Sequence, residues 1–138
     1  MKKLIVINAC VREADSRTLR IAEPIITAPF WDMSFPAALK CFFEQTSLFD
    51  ITFTDTGKTC IGLCKAPQML YITTRGMDIP TGDPREQATP YLKALGSLWN
   101  LGEITTISAQ NMDYSTPEEI EAKISTATLE GLAIARKW

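Results

Sequence analysis

Gln68-Met69-Leu70-Tyr71-Ile72-Thr73 is an apolar run with β-branched and aromatic side chains, and its reading decides the fold. Such a run, closed by a loop at Thr74 to Pro84, suits a strand buried on both faces of a parallel sheet. Glu86 to Leu98 then reads as a helix, and Ile104-Thr105-Thr106-Ile107-Ser108 as a further strand. Strand, helix and strand in that order make a crossover unit with parallel strands. Working outward, Leu4-Ile5-Val6-Ile7 and Ile25-Ile26-Thr27-Ala28 read as two more short strands of the same sheet.

The helical patterns fall between these runs. Ser16 to Glu23 reads as a short helix with Ser16 as N-cap, and Pro24 ends it because its ring cannot continue the hydrogen-bond ladder. Ala37 to Gln45 reads as a helix with Leu39, Phe42 and Phe43 on its apolar face. Ile51 to Thr54 and Thr59-Cys60, around Asp55-Thr56-Gly57, suggest a small hairpin or extended excursion. Thr116-Pro117-Glu118-Glu119 is a helix start, with Thr116 as N-cap, Pro117 in the first turn and Glu119 closing a capping box. Ile120, Ile124, Ala127 and Leu132 give that last helix its core-facing stripe. The whole is expected to be a single α/β domain over residues 1–138.

Composition narrows the function classes. The chain has 138 residues, long enough for one domain with a sizeable core, and 46% of them are apolar. Sixteen acidic and 14 basic side chains leave a net charge of −2, which gives no electrostatic footprint for nucleic acid. No stretch approaches the ~20 apolar residues of a membrane span, and Met1 to Asn8 is too short for a signal-peptide core. A soluble cytoplasmic protein is expected, without nucleic acid or membrane partners. Histidine is absent, which removes His-based triads and His metal clusters. Cys60 and Cys64 form a C-x3-C pair with no second pair to complete a zinc site, so no metal is expected.

In open α/β sheets ligands bind beyond the carboxyl ends of the strands. Three loops follow the strands Leu4–Ile7, Ile25–Ala28 and Gln68–Thr73. The first ends in Ser16-Arg17-Thr18 at a helix N-terminus, where hydroxyls, free amides and the helix dipole favour an anion. Capping alone is the competing reading of Ser16 and Thr18. The second, Pro29-Phe30-Trp31-Asp32-Met33-Ser34-Phe35-Pro36, carries rings and a thioether able to wall a flat ligand, or to pack under neighbouring helices. The third holds Thr74-Arg75-Gly76-Met77. There Gly76 allows close backbone approach or a positive φ, and Arg75 offers fixed positive charge to an anionic ring.

The segment Pro29-Phe30-Trp31-Asp32-Met33-Ser34-Phe35-Pro36-Ala37-Ala38-Leu39-Lys40, with Leu70 to Gly76 and Tyr91 to Leu95, closely resembles the FMN-dependent NAD(P)H:quinone oxidoreductases and azoreductases. Leu4 to Asn8 with Ser16-Arg17-Thr18, and the helix opened by Thr116 to Glu119, are similar to the same family. The resemblance implies a flavodoxin-like three-layer α/β/α fold with a mainly parallel sheet. It implies FMN as cofactor, NADH or NADPH as electron donor, and a homodimer. Ser16 and Thr18, with amides near Arg17, would hold the FMN phosphate. Phe30, Trp31, Asp32 and Met33 would lie along the isoalloxazine, and Thr74, Arg75, Gly76 and Met77 would form the second ring-binding loop. No side chain is assigned catalysis, because the flavin N5 carries the hydride in a ping-pong reaction with a quinone or azo acceptor.

The sequence departs from the family at one point. Roughly fifty residues of the family pattern are absent between Glu23 and Pro24, judged against ordinary domain size. They correspond to the edge strand that is second in family order and to its flanking helices. Their absence is expected to leave Leu4–Ile7 as an apolar edge strand, which favours marginal stability or association with another chain. A helix over Ser16–Glu23 spans about 12 Å and a five-residue strand about 16 Å, so the crossover is tight but closable. The alternative function under this reading is a flavin-binding or dimerising remnant without turnover.

Overall fold

The structure, a computed structural model, describes residues 7–8, 26–66 and 68–137. Four parallel strands form the main sheet, β1 (Ile7–Asn8), β2 (Ile26–Thr27), β5 (Gln68–Thr74) and β6 (Glu103–Ala109), in that spatial order. β5 is interior, pairing Tyr71 with Ile26 on one side and with Thr106 on the other. That position explains its composition: Leu70, Tyr71, Ile72 and Thr73 are all buried. Among the described residues β1 is an edge strand, as expected, while Leu4–Val6 and the expected helix Ser16–Glu23 lie outside them.

Side-chain alternation along β6 places the helices in separate layers. Thr106 bonds Thr89 of α2 (Ala88–Trp99) at 2.9 Å, and Ile104 on the same face presses against Gly96 of that helix. Ile107, on the other face, meets Gly131 of α3 (Pro117–Ala135). α1 (Ala37–Thr46) shares the α2 layer, since Phe43 packs edge-on against Trp99 with ring centroids 6.2 Å apart. The result is a three-layer α/β/α arrangement with a mainly parallel sheet, the flavodoxin-like class expected from the sequence. Among the described residues no helix is long and apolar enough to cross a membrane.

β3 (Phe53–Asp55) and β4 (Cys60–Gly62) form a separate antiparallel hairpin, which resolves the choice left at Ile51–Cys60. Its turn uses Gly57 at φ 80°, with Asp55 Oδ1 accepting from the Gly57 amide. The hairpin docks on the end of α2, where the Cys64 amide donates to the Trp99 carbonyl at 2.9 Å. A Cβ at Gly62 would collide with the backbone of Trp99 and Asn100.

Three helix readings need correction. In α1, Leu39 and Phe43 are buried but Phe42 is 39% exposed, because an i, i+4 pair already covers the narrow contact with the core. α2 begins at Ala88 rather than Glu86. Glu86 is drawn into the interior, and its Oε1 accepts from the Thr89 amide at 2.8 Å, doing the work of a cap from outside the helix. In α3 the capping box of Thr116 and Glu119 forms as read. Its inner stripe, however, runs Ile120, Ile124, Ala127, Gly131 and Ile134, and Leu132 is 50% exposed. Steps of four, three, four and three keep to one helical face, whereas Leu132 lies five residues beyond Ala127 and rotates away.

Candidate functional site

The loops after β2, β5 and β6 are laced to one another by backbone hydrogen bonds at the carboxyl edge of the sheet. The Phe30 amide donates to the Thr74 carbonyl at 3.3 Å, joining the first pair. The Arg75 amide donates to Ala109, and the Met112, Asp113 and Asn111 amides return bonds to Arg75, Gly76 and Met77 at 3.0–3.1 Å. Lys123 of α3 pins the last loop, donating from Nζ to the Gln110 carbonyl at 3.0 Å and the Ser115 hydroxyl at 2.7 Å.

Trp31 to Ser34 forms a tight turn in which the two end residues exchange amide–carbonyl bonds of 3.0 and 2.8 Å. Its central residues, Asp32 at φ 47° and Met33 at φ 65°, both occupy the left-handed region. Two consecutive non-glycine residues there carry backbone strain, which persists only where the surroundings hold it. Part of that hold is the Gln87 amide, which donates to the Met33 carbonyl at 2.8 Å just before α2. Beside the turn opens a cleft of about 780 Å³, lined by Trp31, Asp32, Ser34 and Phe35 with Lys40 of α1 and Gln87 and Tyr91 at the start of α2.

Of the residues read from the sequence, Phe30, Trp31, Asp32, Met33, Thr74, Arg75, Gly76 and Met77 are brought together at this edge. Ser16, Arg17 and Thr18 lie outside the described residues. Trp31, which lines the cleft, is 46% exposed and Met77, in the loop after β5, is 40% exposed, so both present hydrocarbon surface to solvent. Phe30 is half-buried. A flat, largely apolar ring with a polar edge fits such a surface, which offers a ring face, a thioether and loop backbone.

Two positions do something other than the residue type suggested. Arg75 does not present its charge outward. It is fully buried, with Nη1 donating to the Ile79 carbonyl at 2.7 Å, Nη2 to the Thr81 hydroxyl at 3.1 Å, and Glu86 Oε1 3.8 Å away. Burial lowers its pKa from the usual arginine value, and the Glu86 carboxylate opposes that shift. Gly76 keeps φ out of the positive range, and its lack of a side chain makes room for the Asp113 carboxylate rather than for a strained turn. Further along the loop after β5, hydrogen bonds from the Arg85 side chain hold Asp83 down at a pKa of about 2.

Sequence reasoning missed the loop after β6 and missed Glu86. Asn111, at φ 58°, carried the one available signal for the former, since asparagine tolerates the left-handed region. Nothing in the spacing around Glu86 marks a buried acid.

Comparison with known proteins matches this arrangement. The family model described as flavodoxin-like fold matches residues 8–130. The chain is 30% identical over 114 residues to an FMN-dependent NADH:quinone oxidoreductase of Clostridium perfringens, covering 83% of this chain and 57% of that protein. It is 33% identical over 99 residues to a second such enzyme, from Clostridium acetobutylicum, covering 70% and 49%. The chain therefore spans about half the length of the curated relatives it matches. Among solved structures, an azoreductase from Bacillus anthracis superposes with a TM-score of 0.68 at 19% identity, covering 80% of this chain and 54% of that one. An FMN-dependent NADH-azoreductase from the same species, solved in complex with FMN, gives 0.67 at 24% identity, covering 78% and 53%. At such identities the likeness concerns the fold. With the family model spanning most of its length and the parallel sheet and helical layers in agreement, the chain belongs to the flavodoxin-like fold family.

Proposed function

We propose that the protein is an FMN-dependent oxidoreductase of the quinone reductase and azoreductase type, drawing electrons from NADH or NADPH. The observation that carries this reading is the bond from the Phe30 amide to Thr74, which unites two expected ring-binding loops at the carboxyl ends of adjacent parallel strands. The naming of the two clostridial relatives supports the same cofactor and donor.

Bound FMN would supply the redox chemistry, a ring that accepts a hydride from NAD(P)H and hands two electrons to a quinone or azo acceptor in ping-pong order. The protein's share is binding, orientation and access. Ser16 and Thr18, with amides near Arg17, would hold the phosphate. Phe30, Trp31, Asp32 and Met33 would line one side of the ring, and Thr74, Arg75, Gly76 and Met77 another, chiefly through backbone and apolar surface. The strained turn at Asp32 and Met33 fixes its amides before the ligand arrives, which lowers the ordering cost of binding. The exposed Trp31 and the adjoining cleft leave space for a flat acceptor and for the nicotinamide in turn. A homodimer in the cytoplasm completes the proposal.

The test is a visible absorption spectrum of the desalted protein with added FMN, before and after anaerobic NADH. A bound yellow chromophore that bleaches, followed by quinone-dependent recovery of colour, is the expected result. A yellow protein that does not bleach would replace this reading by a flavin-binding module without turnover. A protein that ignores FMN would end both.

A further inference from the structure

The buried cation of Arg75 lies where three site loops meet, yet it reaches none of the exposed surface. Its guanidinium carbon sits 5.1 Å from the centroid of the Phe30 ring, within the range of a cation–π contact. Ile79 and Thr81 hold two of its nitrogens from its own loop, the one after β5. Glu86 faces it at 3.8 Å from the segment that leads into α2, and Glu86 also bonds the Thr89 amide.

This pair is poorly built for stability. The Arg75–Glu86 separation exceeds a hydrogen bond, and among the described residues Arg75 Nε and Glu86 Oε2 have no partner. A buried ion pair of this quality returns little against the cost of taking both charges out of water, and apolar side chains of similar volume serve a core as well or better. What an apolar side chain does not supply is a planar, forked cation that grips one loop through its nitrogens while its face carries a ring from another. Phe30 is the residue immediately before the strained Trp31–Ser34 turn, and its own amide is already bonded across to Thr74.

We propose that Arg75 is a positioning residue for the flavin pocket: under Phe30, with Glu86 as counter-ion, it locks the turn at Trp31–Ser34 against the loop from Arg75 to Thr81. The inference rests on the proposed flavin site for its consequence, and on geometry alone for the lock. Arg75 therefore acts through Phe30 and the turn, and not by lending charge to a ligand.

The test compares wild type with the double variant Arg75→Met/Glu86→Gln, which removes both buried charges together and avoids stranding one. Hydrogen exchange is followed in the apoprotein at the amides of Phe30, Trp31 and Ser34, and FMN affinity is measured by flavin fluorescence. A cation–π contact on a half-buried ring falls between the exposed and the fully desolvated case, about tenfold in an equilibrium constant. The expected result is exchange about tenfold faster at these amides, a melting temperature near that of wild type, and FMN affinity weakened about tenfold. Wild-type exchange at the turn overturns the lock. Faster exchange with unchanged FMN affinity overturns its bearing on the cofactor. Should wild type itself bind no FMN, the flavin reading falls, and the exchange rates still decide the lock. Should the double variant fail to fold, Phe30→Leu keeps the ion pair and removes the ring, and unchanged exchange at Trp31 and Ser34 in that variant overturns the lock.

Discussion

Gly62→Ala is the substitution whose cost the structure fixes most directly. A Cβ there meets the Trp99 carbonyl carbon and the Asn100 amide nitrogen, and both are backbone atoms at the end of α2. Neither can move by changing a rotamer. Asn100 is further held in the left-handed conformation that closes the helix, at φ 61°, with its amide bonded to Gly96 and Ser97. The hairpin must therefore lift away from α2. Lifting breaks the bond from the Cys64 amide to Trp99, worth about 1 kcal/mol net. It also loosens Phe53 and Cys64, both packed against the core, at a further cost of about 1–2 kcal/mol for partly buried apolar groups. A total of about 2–3 kcal/mol corresponds to a melting temperature lower by about 7–10 °C for a domain of this size. Urea and thermal denaturation measure the cost, and thiol labelling read peptide by peptide locates it, because Cys64 is half-buried while Cys41 and Cys60 are already exposed. Cys64 is expected to label faster in the variant, with Cys41 unchanged. A loss below about 0.5 kcal/mol, the scale of an ordinary surface substitution, would refute the docking of the hairpin on α2.

The remaining predictions concern α3, the Asp83–Arg85 pair and the proposed phosphate loop. Ile124→Ala should cost about 3 kcal/mol in denaturant unfolding, as a buried aliphatic truncation does, and Leu132→Ala under about 1 kcal/mol; equal costs would restore Leu132 to the inner stripe. Asp83 is held at about 2, below its ordinary 3.8, by hydrogen bonds from the Arg85 side chain. A depressed carboxylate stabilises the fold above its unfolded pKa and loses that contribution as pH falls through the folded one. Asp83→Asn should therefore flatten the stability profile between those two values, and an unchanged acid limb would show that the pair is solvated away. Ser16→Ala/Thr18→Ala should weaken FMN binding far more than it lowers the apoprotein melting temperature; equal damage to both would mark the two hydroxyls as helix caps alone.

Much of the sheet was legible because its cause is local. Leu70 to Thr73 is buried on both faces, and a strand in that situation writes a continuous apolar run into the sequence. The capping box at Thr116 was legible for the same reason, since donor, acceptor and proline all fall within four residues. Errors appear where a distant contact decides. Phe42 and Phe43 are equally apolar, and only the position of Trp99 and Tyr91 selects Phe43 for the core. Gly131 was passed over because a glycine carries no hydrophobic signal, although it is what lets α3 approach Ile107. Arg75 was read from its charge as a ligand contact, and the structure spends that charge on Ile79, Thr81 and Glu86, residues four to eleven positions away along an irregular loop. Periodicity has nothing to say about such a loop, so the buried acid at Glu86 passed for a helix start.

The registers of the sheet relate the ends of the three strands that precede the sequence-read loops. Asn8 at the end of β1 pairs with Thr27, and Thr27 pairs with Ile72. The carboxyl ends of β1, β2 and β5 thus lie side by side, with two strand spacings, about 10 Å, between the first and the third. A small anion at a single helix N-terminus would touch one of them. A ligand that engages all three must be at least that long, anionic at the β1 end and flat at the β5 end, if Ser16 and Thr18 act as proposed. The strain at Asp32 and Met33 and the Arg75 contact with the Phe30 ring fall on the same loop, the one that follows β2 between the other two strand ends.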